Sequence, residues 1–350
     1  MEKEHCEPKT SSGGRIGILV HGLALACVML LALGCEAPPA GGGIFPSATP
    51  AVDINDLTVQ AYKIILDSLS DNDPAIRANA IEVVAQTGQI KLVPKVQRLL
   101  EDEFAPVRFA AALAIGDLEY TFGARGLQRL FKDTDSNVKI AACYGMVKLG
   151  SVKYREVLRR AVASTDQTVR ANAAFLLGKS RDAEALKLLY WAMQDKDSAD
   201  KAVYQAAESI ATLGDDRIYP KLWTMLLSVY ADVRITGVRA MGALGNQDAK
   251  NALIRMLSDK VIEVRLAAAE QLGMLGDKDG EPEVMDVFNL KLTSGLEPVD
   301  RERVNVLTAL AIGRIATPAL VKHLPQFLKN ESKAVRIAAA RAVLQSRMQY

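Results

Sequence analysis

One pattern recurs from residue 54 to the end of the chain, and it constrains the fold more than any other feature. It is clearest in Ala105–Gly116 and Glu263–Gly273, where Val-Arg opens an alanine-rich run closed by Gly. Aligning the repeats on the residue at the Arg position gives nine anchors: Arg77, Arg108, Lys139, Arg170, Val203, Arg234, Arg265, Asn305 and Arg336. Successive anchors are 31, 31, 31, 33, 31, 31, 40 and 31 residues apart. This period predicts stacked units, none of which can bury its apolar face alone.

Each period contains two helical patterns. The first is leucine-rich, as in Lys91–Leu100, and the second is alanine-rich with a small residue three positions beyond most anchors. Small residues there allow close helix packing. Gly stands eight or eleven residues after most anchors, which is typical of helix C-termini. We therefore predict an all-α protein, a right-handed α-solenoid of about nine helix pairs over 54–350, shaped as a curved rod whose second helices line the concave wall.

The helix pairs resemble a known repeat family. Pro near the start of the first helix (Pro94, Pro220, Pro325), Val-Arg near the start of the second and Ala-x-x-Leu-Gly at its end resemble HEAT repeats. They are similar to the short PBS-lyase-type HEAT-like subclass, over about residues 54–347. Val203 and Asn305 depart from the basic residue usual at the anchor. The resemblance implies a binding scaffold or, alternatively, an accessory lyase or chromophore-handling protein.

The first 35 residues are typical of a bacterial lipoprotein signal peptide. Basic residues precede an apolar run over 16–34, and Ala32-Leu33-Gly34-Cys35 resembles a lipobox whose Cys is acylated. Two alternatives remain open, namely the similar sequence ending at Cys27 and an uncleaved signal anchor. Residues 36–53, rich in Ala, Pro and Gly, predict a flexible linker.

Composition argues against several classes of function. The 43 basic and 41 acidic residues give a net charge of +2, too balanced for a general nucleic-acid binder. Beyond residue 35, His323 is the sole histidine, so we expect no catalytic constellation, metal site or cofactor. We expect His323 to be a solvated helix-surface residue. Cys143 occupies a slot that is apolar in every other repeat, which predicts a small buried side chain.

The concave wall is the expected binding surface. Five residues after the anchor, most repeats carry a charged side chain, but three consecutive repeats carry Leu113, Tyr144 and Phe175. These three could form an apolar stripe for a helix or extended peptide, or they could pack on neighbouring helices.

Two further features allow alternative interpretations. The anchor cations are expected to pair with acidic residues just before them, rather than to form an anion-binding surface. The expected pairs are Asp73 with Arg77, Glu103 with Arg108, Asp135 with Lys139, Asp166 with Arg170, Asp232 with Arg234 and Glu263 with Arg265. The nine extra residues before the eighth anchor, within 276–300, predict a loop insertion or long turn.

Together these observations predict a non-enzymatic scaffold at the bacterial cell envelope. It would be attached to the membrane by a lipid on Cys35, with the solenoid outside the cytoplasm, and would bind a protein or peptide partner but no nucleic acid.

Overall fold

The computed structural model describes residues 54–346, and all regular structure in that range is helical. Nine helix pairs form two layers, as the repeat pattern predicts. The inner layer consists of the second helix of each pair: α2 (Pro74–Gln86), α4 (Ala105–Asp117), α6 (Ser136–Lys148), α8 (Gln167–Lys179), α10 (Asp200–Thr212), α12 (Ala231–Leu244), α14 (Ile262–Met274), α16 (Pro298–Ile315) and α19 (Lys333–Ser346).

The outer layer consists of the first helix of each pair. Its members are α1 (Ile54–Ser68), α3 (Val93–Arg98), α5 (Ala124–Arg129), α7 (Arg155–Ala161), α9 (Leu186–Gln194), α11 (Tyr219–Leu226), α13 (Gln247–Met256), α15 (Glu281–Asn289) and, in the ninth pair, α17 (Pro318–Val321) with α18 (Leu324–Leu328). Short 3₁₀ turns precede most outer helices, as at Ile90–Leu92 and Val152–Tyr154. The fold is therefore an α-solenoid of nine HEAT-like pairs.

Small residues bring the inner helices close together. The position three beyond the anchor is fully buried in Ala80, Ala111 and Ala142. The glycines divide into two groups, which the sequence pattern treated as one. Those eleven residues after the anchor, such as Gly88 and Gly150, end their helices with positive φ, as predicted.

The glycines eight residues after the anchor lie in the last turn of the inner helices, as predicted, but one or two residues before the helix ends and without positive φ. A Cβ added at Gly116 would stand 2.8 Å from the Gly145 Cα, and one at Gly313 would stand 2.6 Å from the Ala342 Cα. These positions lack a side chain because the backbone of the next inner helix occupies the space.

The anchor arginines link successive repeats. Arg77 donates from Nε and Nη2 to both carboxylate oxygens of Asp102 at 2.8 Å, and from Nη1 to the Asp71 carbonyl at 2.7 Å. Arg108 and Asp133, and Arg234 and Asp259, repeat this 25-residue spacing. Each guanidinium thus links the turn before its own inner helix to the corresponding turn of the next repeat.

The ladder of Arg–carboxylate pairs exists, but the partners predicted from the sequence are wrong. The acidic residues just before the anchors have other roles. Asp73, Asp135 and Asp166 cap inner helices by accepting hydrogen bonds from backbone N–H groups. Glu263 instead pairs with Arg303 of the next repeat at 3.1 Å. A side chain on the first turn of a helix reaches the backbone amides there more easily than a guanidinium that extends toward the next repeat.

The ends of the array meet. Helix α1 packs along α19, which also contacts α2, and Leu57, Ala61 and Ile65 on α1 are buried. Asp71 stands six residues before its anchor, as Asp102 does in the second repeat, and Lys333 Nζ of the last repeat lies 2.7 Å from its carboxylate. The nine repeats therefore form a closed ring rather than a curved rod, because a rotation of about 40° per repeat completes a full turn.

The extra residues before the eighth anchor form more than a loop. About half extend α16 toward its N-terminus, so that this inner helix has 18 residues while most others have 13. The remainder form the turn over 290–297. The prediction of a long turn is thus correct only for that part of the insertion.

Candidate functional site

The side chains five residues after the anchors meet in the interior of the ring. Tyr144 and Phe175 are buried, with 1% and 9% of their surfaces exposed, and Leu113 is half-buried against the core. The structure places these three predicted partner-binding residues among packed inner helices, which agrees with the alternative that they pack on neighbouring helices.

Tyr144 belongs to a polar contact across three repeats. Its hydroxyl donates to Asp117 Oδ1 at 2.5 Å, and Lys179 Nζ lies 3.0 Å from Asp117 Oδ2. Burial is the main cause that raises the pKa of Tyr144 well above its usual value, with the Asp117 charge adding to it. Tyr144 is therefore a neutral hydrogen-bond donor that joins the second, third and fourth inner helices.

Charged side chains from distant repeats also lie together in the interior. Arg341 Nη2 lies 3.6 Å from Glu270 Oε1, and both side chains are buried. Glu82 accepts a hydrogen bond from Gln86 Nε2 at 2.6 Å. Burial raises the pKa of Glu82 to about 7, although the charges of Arg341, Lys179 and Arg239 act in the opposite direction. Because these cations come from the ninth, fourth and sixth repeats, the interior is narrow.

Burial also lowers the pKa of Arg314 to about 10, and the nearby charge of Arg341 acts in the same direction. The adjacent amide of Gln345 is buried, and neither of its polar atoms has a hydrogen-bond partner within the described chain. The interior of the ring is thus a place where charged groups are desolvated, and its polarity reduces the stability of the closed fold.

Cys143 and His323, the cysteine and histidine discussed in the sequence analysis, are both packed against other side chains. Cys143 is buried and free, as predicted, and burial raises the pKa of its thiol to about 11. The expectation for His323 is wrong, since its ring stacks on Phe288 with centroids 3.8 Å apart. Burial and the Lys322 charge lower the pKa of His323. Its position between α17 and α18 turns the ring toward α15 rather than toward solvent.

The two rims of the ring expose apolar groups that sequence reasoning missed. At the first rim, inner helices end and outer helices begin. Three consecutive turns there present Ile90, Phe122 and Val152, with 55%, 78% and 60% of their surfaces exposed. Exposed cations accompany them: Lys91, Arg125 and Lys153. We call these six residues the apolar–basic arc. The sequence does carry a signal for these residues. An apolar residue stands 13 or 14 positions after each of three consecutive anchors, and a cation follows it within three residues.

At the second rim, outer helices end and inner helices begin. Leu227, Val229 and Tyr230 are 68%, 80% and 68% exposed there, and we call them the second-rim patch. Their turn is fixed, because Arg234 Nη1 donates to the carbonyls of Ser228 and Val229 at 2.9 and 3.2 Å. The patch therefore presents apolar side chains on a rigid backbone.

Two features are absent from residues 54–346. None of the helices in that range is both long and apolar enough to cross a membrane. In the same range, no three His, Cys, Asp or Glu side chains converge in a way that could hold a metal ion.

Comparison with known proteins places the fold. No curated protein sequence matches the chain. Solved structures similar to it include the CpcE–CpcF complex of phycocyanin lyase from Nostoc sp. PCC7120, with 20% identity and a TM-score of 0.44, covering 73% of this chain and 99% of that one. Human deoxyhypusine hydroxylase in complex with glycerol has 18% identity and a TM-score of 0.38, covering 76% and 99%. Importin beta has 16% identity and a TM-score of 0.34, covering 82% and 46%.

These likenesses concern the helical fold alone. The family model for HEAT repeats matches residues 62–124, 160–235 and 228–291, which together make up more than half of the chain. The chain belongs to the HEAT-repeat family.

Proposed function

We propose that this chain is a non-enzymatic, lipid-anchored scaffold that holds a protein or peptide partner at the bacterial cell envelope. The lipobox-like sequence ending at Cys35 supports the anchor, and the repeat family supports partner binding. The solenoid would then lie outside the cytoplasm.

The observation that carries the partner proposal is the second-rim patch. Three apolar side chains within four residues are exposed on a turn that Arg234 holds rigid. Apolar groups presented on a fixed backbone lose little conformational entropy on binding. The concave stripe of Leu113, Tyr144 and Phe175 is closed inside the ring, so we assign the partner to this rim instead.

The anchor is tested by mass spectrometry of the chain isolated from native membranes. We expect an acylated peptide that begins at Cys35, and we expect Cys35→Ala to release the chain from the membrane fraction. An unmodified Cys35 in a chain that still begins at Met1 would contradict the anchor and support the signal-anchor alternative.

The partner site is tested by chemical crosslinking in native membranes and isolation of the chain with its captured partner. We expect the triple variant L227S/V229S/Y230S to lose the captured partner while it keeps its helical circular dichroism. Val59→Ser, which changes a similarly exposed apolar residue on α1, is the matched control and should keep the partner. Equal capture by both variants would remove the second-rim patch as the site.

The alternative, an accessory lyase or chromophore-handling protein, is tested on the same material. It would be supported by a pigment that copurifies with the chain, and by loss of that pigment when residues of the ring interior such as Tyr144 are changed to Phe.

A further inference from the structure

The apolar–basic arc lies on the rim at which the folded part of the chain begins. All outer helices run in the same direction, so the start of α1 at Ile54 shares a rim with the starts of the later outer helices at residues 90, 121 and 152. Ile54, at which the described part of the chain begins, therefore lies on this rim, in the repeat next to Ile90.

The arc combines the two groups that an interfacial membrane contact requires. Each of three consecutive turns carries one exposed apolar side chain, and an exposed cation follows it within three residues. Neighbouring helices are 8–10 Å apart, so the three tips span roughly 20 Å. Half-buried tyrosines flank them, with the Tyr120 ring 5.5 Å from Phe122 and Lys153 Nζ 5.1 Å from the centroid of Tyr154. Apolar tips, tyrosines and cations together suit the boundary between headgroups and acyl chains.

The remainder of the first rim carries charges of both signs. The corresponding turns of the next four repeats expose Glu184, Asp216, Asp248 and Asp279 together with the cations Arg181, Arg217 and Lys278. Near the arc, the exposed carboxylate of Glu119 lies 3.7 Å from Lys148 Nζ, and that of Glu156 lies 3.4 Å from Arg160 Nε. Among these first-rim turns, large exposed apolar side chains occur in the arc alone, so an anionic lipid surface would contact the rim there.

We propose that the apolar–basic arc contacts the anionic lipid surface to which the chain is anchored. The ring then stands on the membrane along the turns that precede α3, α5 and α7, and it directs the second-rim patch away from the membrane. This inference rests on the proposed function only in that residue 54 must lie near a membrane, which a lipid on Cys35 and an uncleaved anchor would both achieve.

The test uses spin labels on the full chain in vesicles. Phe122→Cys reports the arc, while Val229→Cys on the second rim and Gln247→Cys on the opposite side of the first rim are matched controls. All are made with Cys6, Cys27 and Cys143 replaced by Ala. In vesicles containing one third phosphatidylglycerol, we expect accessibility to a water-soluble nickel chelate to be about fivefold lower at 122 than at either control.

The charge requirement is tested with K91E/R125E/K153E. Each cation lost should weaken the contact by roughly fivefold, so the triple variant should make position 122 as accessible as position 229. Pure phosphatidylcholine should have the same effect on the unchanged arc. Equal accessibility at 122 and 229 in anionic vesicles would overturn the proposal, and so would protection that ignores lipid charge.

Other outcomes distinguish a lipid contact from a protein contact and test the arc separately from the lipid anchor. Protection at 122 in native membranes but not in protein-free anionic vesicles would assign the arc to a protein and overturn the lipid contact. An acylated Cys35 together with an unprotected position 122 would overturn the arc while leaving the anchor intact. A protected position 122 together with an unmodified Cys35 would support the arc and contradict the lipid anchor.

Discussion

At the residue scale, the guanidinium groups of the anchor arginines hold neighbouring repeats together. Arg108 satisfies both carboxylate oxygens of Asp133 and two carbonyls of its own turn, at distances of 2.8 to 3.0 Å. The Arg108 guanidinium is the main cause that lowers the pKa of Asp133 below its usual value. A lysine cannot make this set of contacts, because its ammonium lacks the planar fork of donors.

We therefore expect Arg108→Lys to lower the free energy of unfolding by about 2–4 kcal/mol, since it leaves a buried carboxylate poorly paired. Arg129→Lys is the matched control, because the Arg129–Glu101 pair is largely exposed and should contribute less than about 1 kcal/mol. Urea unfolding followed by circular dichroism measures both. Equal losses in the two variants would show that burial of the pair is unimportant.

The raised pKa of Glu82 leads to a prediction of how the free energy of unfolding depends on pH. Its pKa of about 7 in the fold lies above its ordinary value of 4.5, so the folded chain holds this proton more tightly than the unfolded chain does. Its contribution to stability is complete below pH 4.5 and is lost as the pH rises through 7. We expect Glu82→Gln to raise the free energy of unfolding at pH 8 by about 1–3 kcal/mol and to flatten the profile between pH 5 and 8.

Thermal unfolding across that pH range checks the Glu82 prediction. Glu208→Gln should act in the same direction, because burial raises the pKa of Glu208 too. If the stability of Glu82→Gln depends on pH as steeply as that of the unchanged chain, the interior is more hydrated than its packing implies.

At the element scale, close approach of the inner helices limits what each repeat tolerates. Gly116, Gly273 and Gly313 leave room for the backbone of the next inner helix. Helix propensity alone would favour alanine over glycine at such sites by about 1 kcal/mol. Packing opposes this, since a methyl group would have to displace a whole helix rather than a side chain.

We expect Gly116→Ala to destabilise the chain by about 1–3 kcal/mol despite its higher helix propensity. Gly242→Ala is the matched control, because the added Cβ meets the side-chain amide of Gln271, which can move more easily than backbone. Melting temperatures of the two variants test this order. A more stable Gly116→Ala would mean that the inner helices can separate without cost.

At the scale of the whole molecule, ring closure sets the properties of the chain. An open array has two exposed end repeats that need polar caps. Here α1 and α19 cover each other, and the pair of Lys333 with Asp71 stands where Arg–Asp pairs stand elsewhere. Closure also removes the concave wall as an accessible surface, so that the rims become the faces available to partners.

Closure makes a circular permutant a sharp test. Joining residue 346 to residue 54 by a short linker and opening the chain in the exposed turn near Lys291 should give a molecule with native helicity and a melting temperature within about 5 °C. Small-angle scattering should report the same radius of gyration for both forms. The control is the unchanged chain cleaved by proteolysis in the same turn. If the control stays folded and the permutant does not fold, contact between the first and last repeats is contradicted.

The sequence by itself determined the helix pairs, their number and period, the layer to which each helix belongs and the burial of Cys143, because these depend on patterns within about 31 residues. Which carboxylate each anchor arginine meets, how Tyr144 is packed and how His323 is packed depended on contacts with the neighbouring repeat. Whether the two ends of the array meet depended on the small rotation between repeats. That rotation accumulates over nine units, and no local pattern encodes whether the sum closes. Only the tertiary structure therefore decided that the inner wall is interior and that the rims carry the exposed apolar groups.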